Sequence, residues 1–153
     1  MRARELGLVD GHLEPGPGSA ITDVPGVAVG HANHPGHTGV TAVLPTLGRD
    51  HWLEPYHCAF AALNGAGEVA GSQQIEEWGL GESAILLTGT PYVGAVYDAA
   101  TRIATTRQPR IGRDDVIIPV VLECDPSTYC DVRDGARPDE ALVARALDTA
   151  SAG

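Results

Sequence analysis

With 153 residues, of which 43% are hydrophobic and 20% charged, the chain is long enough to bury the core of one globular domain and is too apolar to stay disordered. Twenty acidic residues face ten basic ones, every one an arginine, and the formal net charge is −10. A surface of that sign repels phosphate backbones and anionic lipid, which argues against nucleic acid and membrane as partners. No apolar run reaches the length of a membrane span, and no apolar core of signal-peptide length follows Arg2 and Arg4. Cys58, Cys124 and Cys130 are too few for a disulfide framework and show no Cys-x-x-Cys spacing for zinc, so a reduced, cytoplasmic protein is expected.

Residues 11–19, GHLEPGPGS, read as a glycine–proline loop. ITDVPGVAVGH then begins a strand pattern, broken at Pro25-Gly26 and resumed in the alternation of Val27 and Val29. His31 to Thr38 is polar and glycine-bearing and predicts a loop. Gly39–Leu44 predicts a second strand closed by Pro45, residues 46–55 an exposed loop, and Tyr56–Leu63 a third strand. Asn64–Gly71, NGAGEVAG, is a glycine-rich turn that opens a helix running through Trp78, and Ser83–Thr88 predicts a fourth strand. Thr90-Pro91 is a helix start, a capping hydroxyl followed by proline in the first turn. Val93, Val96, Tyr97, Ala100, Ile103 and Ala104 then recur at helical spacing, with Asp98 and Arg102 four apart on the opposite face.

After a polar linker at 107–115 comes VIIPVVLECDPSTYCD, residues 116–131. Its apolar, largely β-branched beginning predicts a strand buried on both faces, which runs into Glu123 and a polar loop. A carboxylate at the mouth of a buried strand is costly unless it is paired or used. Either Glu123 satisfies a neighbouring arginine or backbone amide, or it belongs to a site. A last helix over about 138–150 places Leu142, Val143, Ala146, Leu147 and Ala150 on one stripe, with acids in the first turn where the helix dipole favours them. Strands and helices mix, no internal repeat or dividing linker is present, and the fold class is α/β or α+β, one domain or part of one.

Three constellations can be weighed for chemistry. Gly65-Ala66-Gly67-Glu68-Val69-Ala70 matches G-x-G-x-x-A, but the next strand ends without the acid that holds a ribose, and Glu68 carries the wrong charge for phosphate; tight strand-to-helix packing is the better account. His31, His34 and His37 fall in a stretch interrupted by Pro35 and Gly36, and no Cys or Glu completes a metal-binding spacing, so no metal is expected. There is no G-x-S-x-G elbow and no base beside Ser19 or Ser72 in sequence. Spacing alone does not disclose a reaction.

The blocks AITDVPGVAVGH, TGVTAVLP, LNGAGEVAG, LTGTPYVG and IPVVLEC, in that order, closely resemble the DmpA family, the L-aminopeptidase/D-Ala-esterase/amidase and β-peptidyl aminopeptidase enzymes. The resemblance spans residue 3 to about residue 150. It implies an αββα sandwich of the N-terminal-nucleophile type, of which this chain supplies only part. It also implies a precursor that cuts itself between glycine and serine, and a new amino-terminal serine that acts as nucleophile with its own α-amine as base. Family sequences continue past the last helix into an oxyanion-stabilising asparagine and the Gly-Ser processing site, so the nucleophile is expected on a companion chain, in a hetero- or homo-oligomer.

By the same resemblance Glu123 receives the free ammonium of a peptide, amide or ester substrate, Asn64 lines the site or caps its turn, and Tyr129 stands for the family's catalytic tyrosine. Here Glu-Cys-Asp-Pro-Ser-Thr-Tyr places that tyrosine one position late, and Gly89 replaces the asparagine usual in the LTNT block. No cofactor is implied. The rival expectation is a non-catalytic domain that binds a small amine or a partner subunit.

Overall fold

In a computed structural model the chain is described except at residues 1, 2, 4, 9, 10, 35–37, 66, 126–130, 132–135 and 153. A five-stranded sheet has the order β1-β2-β6-β7-β4, formed by β1 (Ala28–His34), β2 (Thr38–Leu44), β6 (Ile85–Gly89), β7 (Val120–Cys124) and β4 (Val69–Ala70). The short strands β3 (Tyr56–His57) and β5 (Leu80–Gly81) pair with each other apart from it. β1, β2 and β6 are successively antiparallel, β6 and β7 are parallel, and β4 is antiparallel to β7. A parallel pair needs a crossover, supplied here by α2 (Val93–Arg107). The other α-helices among the described residues are α1 (Ser72–Trp78) and α3 (Glu140–Asp148).

Strand alternation decides which side chains meet the helices. Ala32, Val40, Ala42, Leu86 and Val121 point to one face and form a single buried cluster with Val93, Val96, Ala100 and Ile103 of α2 and Leu142, Val143 and Ala146 of α3. Both longer helices therefore cover the same side of the sheet. The opposite parity carries Val43, Ile85, Leu87 and Leu122, which are only half-buried. A sheet that is apolar on both faces is the pattern of one covered on both sides.

The structure departs from the expected elements where long-range contacts decide. His31 and His34 lie in β1 rather than in a loop, because the hairpin ladder continues through His31↔Thr41 to His34↔Thr38 and Ala32 is buried between them. His31 Nδ1 is 2.9 Å from Thr41 Oγ1 across the ladder, and His37 lies outside the described residues. The third strand stops at His57; Leu63, at its expected far end, is 96% exposed.

The strand expected from Val116 starts only at Val120. Pro119 has no N–H to donate, the Ile118 amide donates to Glu82 Oε1 (2.7 Å), and the Val120 amide donates to Ser83 Oγ (2.9 Å), so the ladder to β6 begins at Ile85↔Val120. α3 starts two residues inside the expected segment, at Glu140, where the Asp139 carboxylate accepts the Leu142 amide hydrogen bond (2.8 Å) and caps the helix.

Candidate functional site

Glu123 sits near the C-terminal end of β7, level with Thr88 of β6. At this end of a parallel pair the chain leaves β6 toward the crossover helix, and crevices at the carboxyl ends of such strands are where α/β sheets receive ligands. The Glu123 side chain shares the face of Leu86 and Val121 and is half-buried. Thr90 opens the 3-10 turn Thr90–Tyr92 that leads into α2, and its hydroxyl donates a hydrogen bond to Glu123 Oε2.

The expected capping role of Thr90 is thereby corrected. The N-cap positions of the 3-10 turn and of α2 are Gly89 and Tyr92, and the Thr90 hydroxyl donates to the carboxylate. On the other side, a Cβ built on Gly67 would overlap Cγ, Cδ and Oε1 of Glu123, so the glycine leaves the space the carboxylate occupies. The G-x-G-x-x-A stretch thus works as a close-packing turn, against an acid of another strand and not against a phosphate.

The charge of Glu123 is not met by an arginine among the described residues. The ion pairs there are Arg49–Glu54, Arg102–Asp98, Arg107–Asp148 and Arg110–Asp114, all on exposed side chains. Asn64 is exposed on the turn that leads into Gly67. Tyr129 lies outside the described residues. Thr90 and Gly67 were missed as site residues because only the pairing of the neighbouring strands β6 and β4 with β7 brings them to Glu123. The sequence signal available was their place at the two ends of strand-flanking turns.

A cavity of about 360 Å³ opens at the other end of the strands, between the sheet, α2 and the loop before β3, with Ile103, Ile117, Leu147, His51, Glu82 and Arg107 in its walls. Its polar rim is consumed internally. Arg107 pairs with Asp148 (2.7 Å), Gln108 donates to Asp50 (2.8 Å), and Glu82 holds the Ile118 amide. The cavity is remote from Glu123 and offers no comparable group.

His51 in that wall is buried, packs edge-to-face on Tyr56 with centroids 5.3 Å apart, and leaves its Nε2 without a hydrogen-bond partner. Burial lowers its pKa from the ordinary 6.5, against a hydrogen bond to the Thr46 backbone and the Asp50 charge, which act to raise it. Between the lowered folded value and 6.5 the unfolded chain binds the extra proton, so stability falls as pH drops through that window. The melting temperature is expected to fall between about pH 7.5 and about pH 5.5, and to fall less in His51→Phe, which keeps the packing and removes the titration. Equal slopes in the two proteins would remove His51 from the account.

Taken together, helices packed on one face of a mixed sheet and an acid at the strand ends define a two-layer α/β unit with a polar site at one edge. Solved structures give it a class. The chain superposes on the L-aminopeptidase D-Ala-esterase/amidase from Ochrobactrum anthropi, described as a prototype for the serine aminopeptidases and a variant of the Ntn hydrolase fold, with a TM-score of 0.81 and 33% identity. The match covers 99% of this chain and 45% of that one. A Burkholderia sp. beta-aminopeptidase matches with a TM-score of 0.85 and 39% identity over 100% of this chain and 44% of that one. Among curated proteins, the beta-peptidyl aminopeptidase BapA of Sphingosinicella microcystinivorans is 34% identical over 166 aligned residues, covering 99% of this chain and 40% of the relative.

The model of peptidase family S58 matches residues 19–153, and the chain belongs to that family, the DmpA family of the sequence resemblance. Its fold is accordingly mixed α/β of the Ntn-hydrolase type, matched over less than half the length of those solved neighbours. It spans about two fifths of the length of that curated relative. No helix among the described residues is long and apolar enough to cross a membrane.

Proposed function

We propose that this chain forms the amine-binding wall of a serine aminopeptidase that releases amino-terminal residues from peptides, amides or esters. The observation that carries the proposal is the state of Glu123. It is a half-buried carboxylate at the strand ends, held by a neutral hydroxyl and met by no arginine among the described residues. A carboxylate so placed is best compensated by a cation delivered from outside, and the free ammonium of a substrate is such a cation. Family membership and aminopeptidase relatives support the reaction class.

In the proposed reaction a serine hydroxyl from a companion segment attacks the substrate carbonyl. Its proton passes to the serine's own α-amine and then to the leaving amine or alcohol, and water resolves the acyl-enzyme. The half-buried apolar residues Val43, Ile85, Leu87 and Leu122, on the sheet face opposite the helices, are a fitting seat for that companion. Maturation by cleavage before the serine, association into a larger oligomer, and a catalytic part for Tyr129 belong to the same proposal.

Native mass spectrometry together with an assay on matched free and N-acetylated aminoacyl amides tests it. A companion chain beginning with serine, and hydrolysis confined to the free-amine substrate, are the expected results. A lone species of this chain without hydrolase activity would instead favour the non-catalytic amine- or partner-binding domain. Equal turnover of both amides would remove the amine-anchor role.

A further inference from the structure

We propose that Thr90 is the positioning residue of this site, fixing the Glu123 carboxylate so that its remaining lone pairs face the substrate's ammonium. The inference rests on the amine-anchor role of Glu123 and adds to it a residue with a distinct part. A glutamate side chain has three rotatable bonds, and one whose head is half-exposed is free to sample orientations that do not bind an amine. Two features of the fold remove that freedom. The Thr90 hydroxyl donates to Oε2, and the Gly67 backbone lies against Oε1 and the end of the side chain, where any Cβ would collide.

Both features follow from topology. β6 and β7 are parallel and in register at Thr88↔Glu123 and Gly89↔Cys124, so the residue that follows β6 arrives beside the carboxylate. β4 is antiparallel to β7 with Val69 opposite Leu122, so the turn before it passes on the other side. A carboxylate offers about four acceptor sites. One is taken by the hydroxyl, and the Gly67 backbone crowds the Oε1 side. The carboxylate head, and with it the acceptor sites left over, is thereby held in one orientation, which is what an orienting contact supplies to binding. Thr90 touches neither the ammonium nor the reacting carbonyl in this account; it acts through Glu123.

The experiment compares Thr90→Val, Thr90→Ser, Glu123→Gln and the Thr90→Val/Glu123→Gln pair in the assembled protein, with an aminoacyl p-nitroanilide as substrate. Valine preserves the shape of threonine and deletes the donor, and serine keeps the donor. Thr90→Val is expected to raise KM about 10-fold, the scale of a lost hydrogen bond to a charged group, with kcat within about threefold of the parent. Thr90→Ser is expected to restore KM to within about threefold, and Thr90→Val to add nothing further in the Glu123→Gln background.

Three outcomes overturn the proposal: a Thr90→Val enzyme with unchanged KM, a loss that Thr90→Ser shares, or a loss of the same size when Glu123 is already Gln. If Glu123→Gln itself leaves KM unchanged, the amine-anchor reading fails first. If Glu123→Gln raises KM and Thr90→Val does not, only the positioning role fails. Melting temperatures of all four proteins separate a lost contact from a lost fold.

Discussion

Replacing Glu123 by Gln is expected to lower kcat/KM on free-amine substrates by roughly 30- to 1,000-fold, the equivalent of about 2–4 kcal/mol, and to leave the melting temperature nearly unchanged. The two halves of that expectation have different origins. Glutamine is isosteric with glutamate, and its side-chain carbonyl still accepts the Thr90 hydroxyl, so the local packing against Gly67 survives. What goes is the negative charge. With no described arginine paired to Glu123, no ion pair internal to the described chain is broken by the change. A purely structural acid would give the reverse result, a lower melting temperature and unaltered kinetics. Steady-state assays of parent and variant on free and N-acetylated amides, alongside thermal denaturation, read both quantities at once. The parent's preference for the free amine should shrink toward parity in the variant.

The second large effect concerns the fold. Gly30→Ala is expected to destabilise the protein by about 1–3 kcal/mol, the range for overpacking a well-filled interior, and glycine-to-valine at the same position by more. Gly30 lies in β1 under α3, and a Cβ there would fall on the Ala146 carbonyl oxygen and sit 2.7 Å from the Ala150 amide nitrogen. Those are backbone atoms, which cannot rotate away, so the last turn of α3 must lift off the strand. Lifting it also strains the Val29↔Ser151 bridge, by which the end of the chain returns to β1. Urea titration measures the change. A midpoint within error of the parent would mean that α3 is not clamped to β1 as described. Glycine's lack of a side chain matters here for approach, whereas at Gly71, with φ of 86° ahead of α1, it matters for conformation.

Much of the secondary structure was legible locally. The apolar spacing of Val93, Val96, Ala100 and Ile103 marked α2, and the Asp98–Arg102 pair on its far side is present at 3.0 Å. The stripe Leu142, Val143, Ala146 marked α3, and all three are buried. Errors fell where a neighbour outranks a residue's own preference. A polar HANH segment became strand because β2 supplies its ladder, and VIIP was kept out of β7 because Pro119 cannot pair and Glu82 and Ser83 capture the flanking amides.

The site divides in the same way. Glu123 could be singled out from sequence, because a carboxylate ending an apolar run is anomalous wherever the strand lies. Thr90 and Gly67 could not, since each has an adequate local explanation, as a helix start and as a tight turn. Their function as neighbours of Glu123 exists only once β6 and β4 flank β7.

By itself, then, the sequence determined the mixed α/β class, the two long amphipathic helices, the family resemblance and the acid worth testing. These are properties of periodicity, composition and motif order, carried along the chain. Tertiary structure alone decided that Thr90 and Gly67 enclose that acid, that α3 rests on a bare Gly30, and that one apolar face of the sheet stays half-exposed. Strand order and register bring together residues tens of positions apart, and no local pattern encodes which strand will lie beside which.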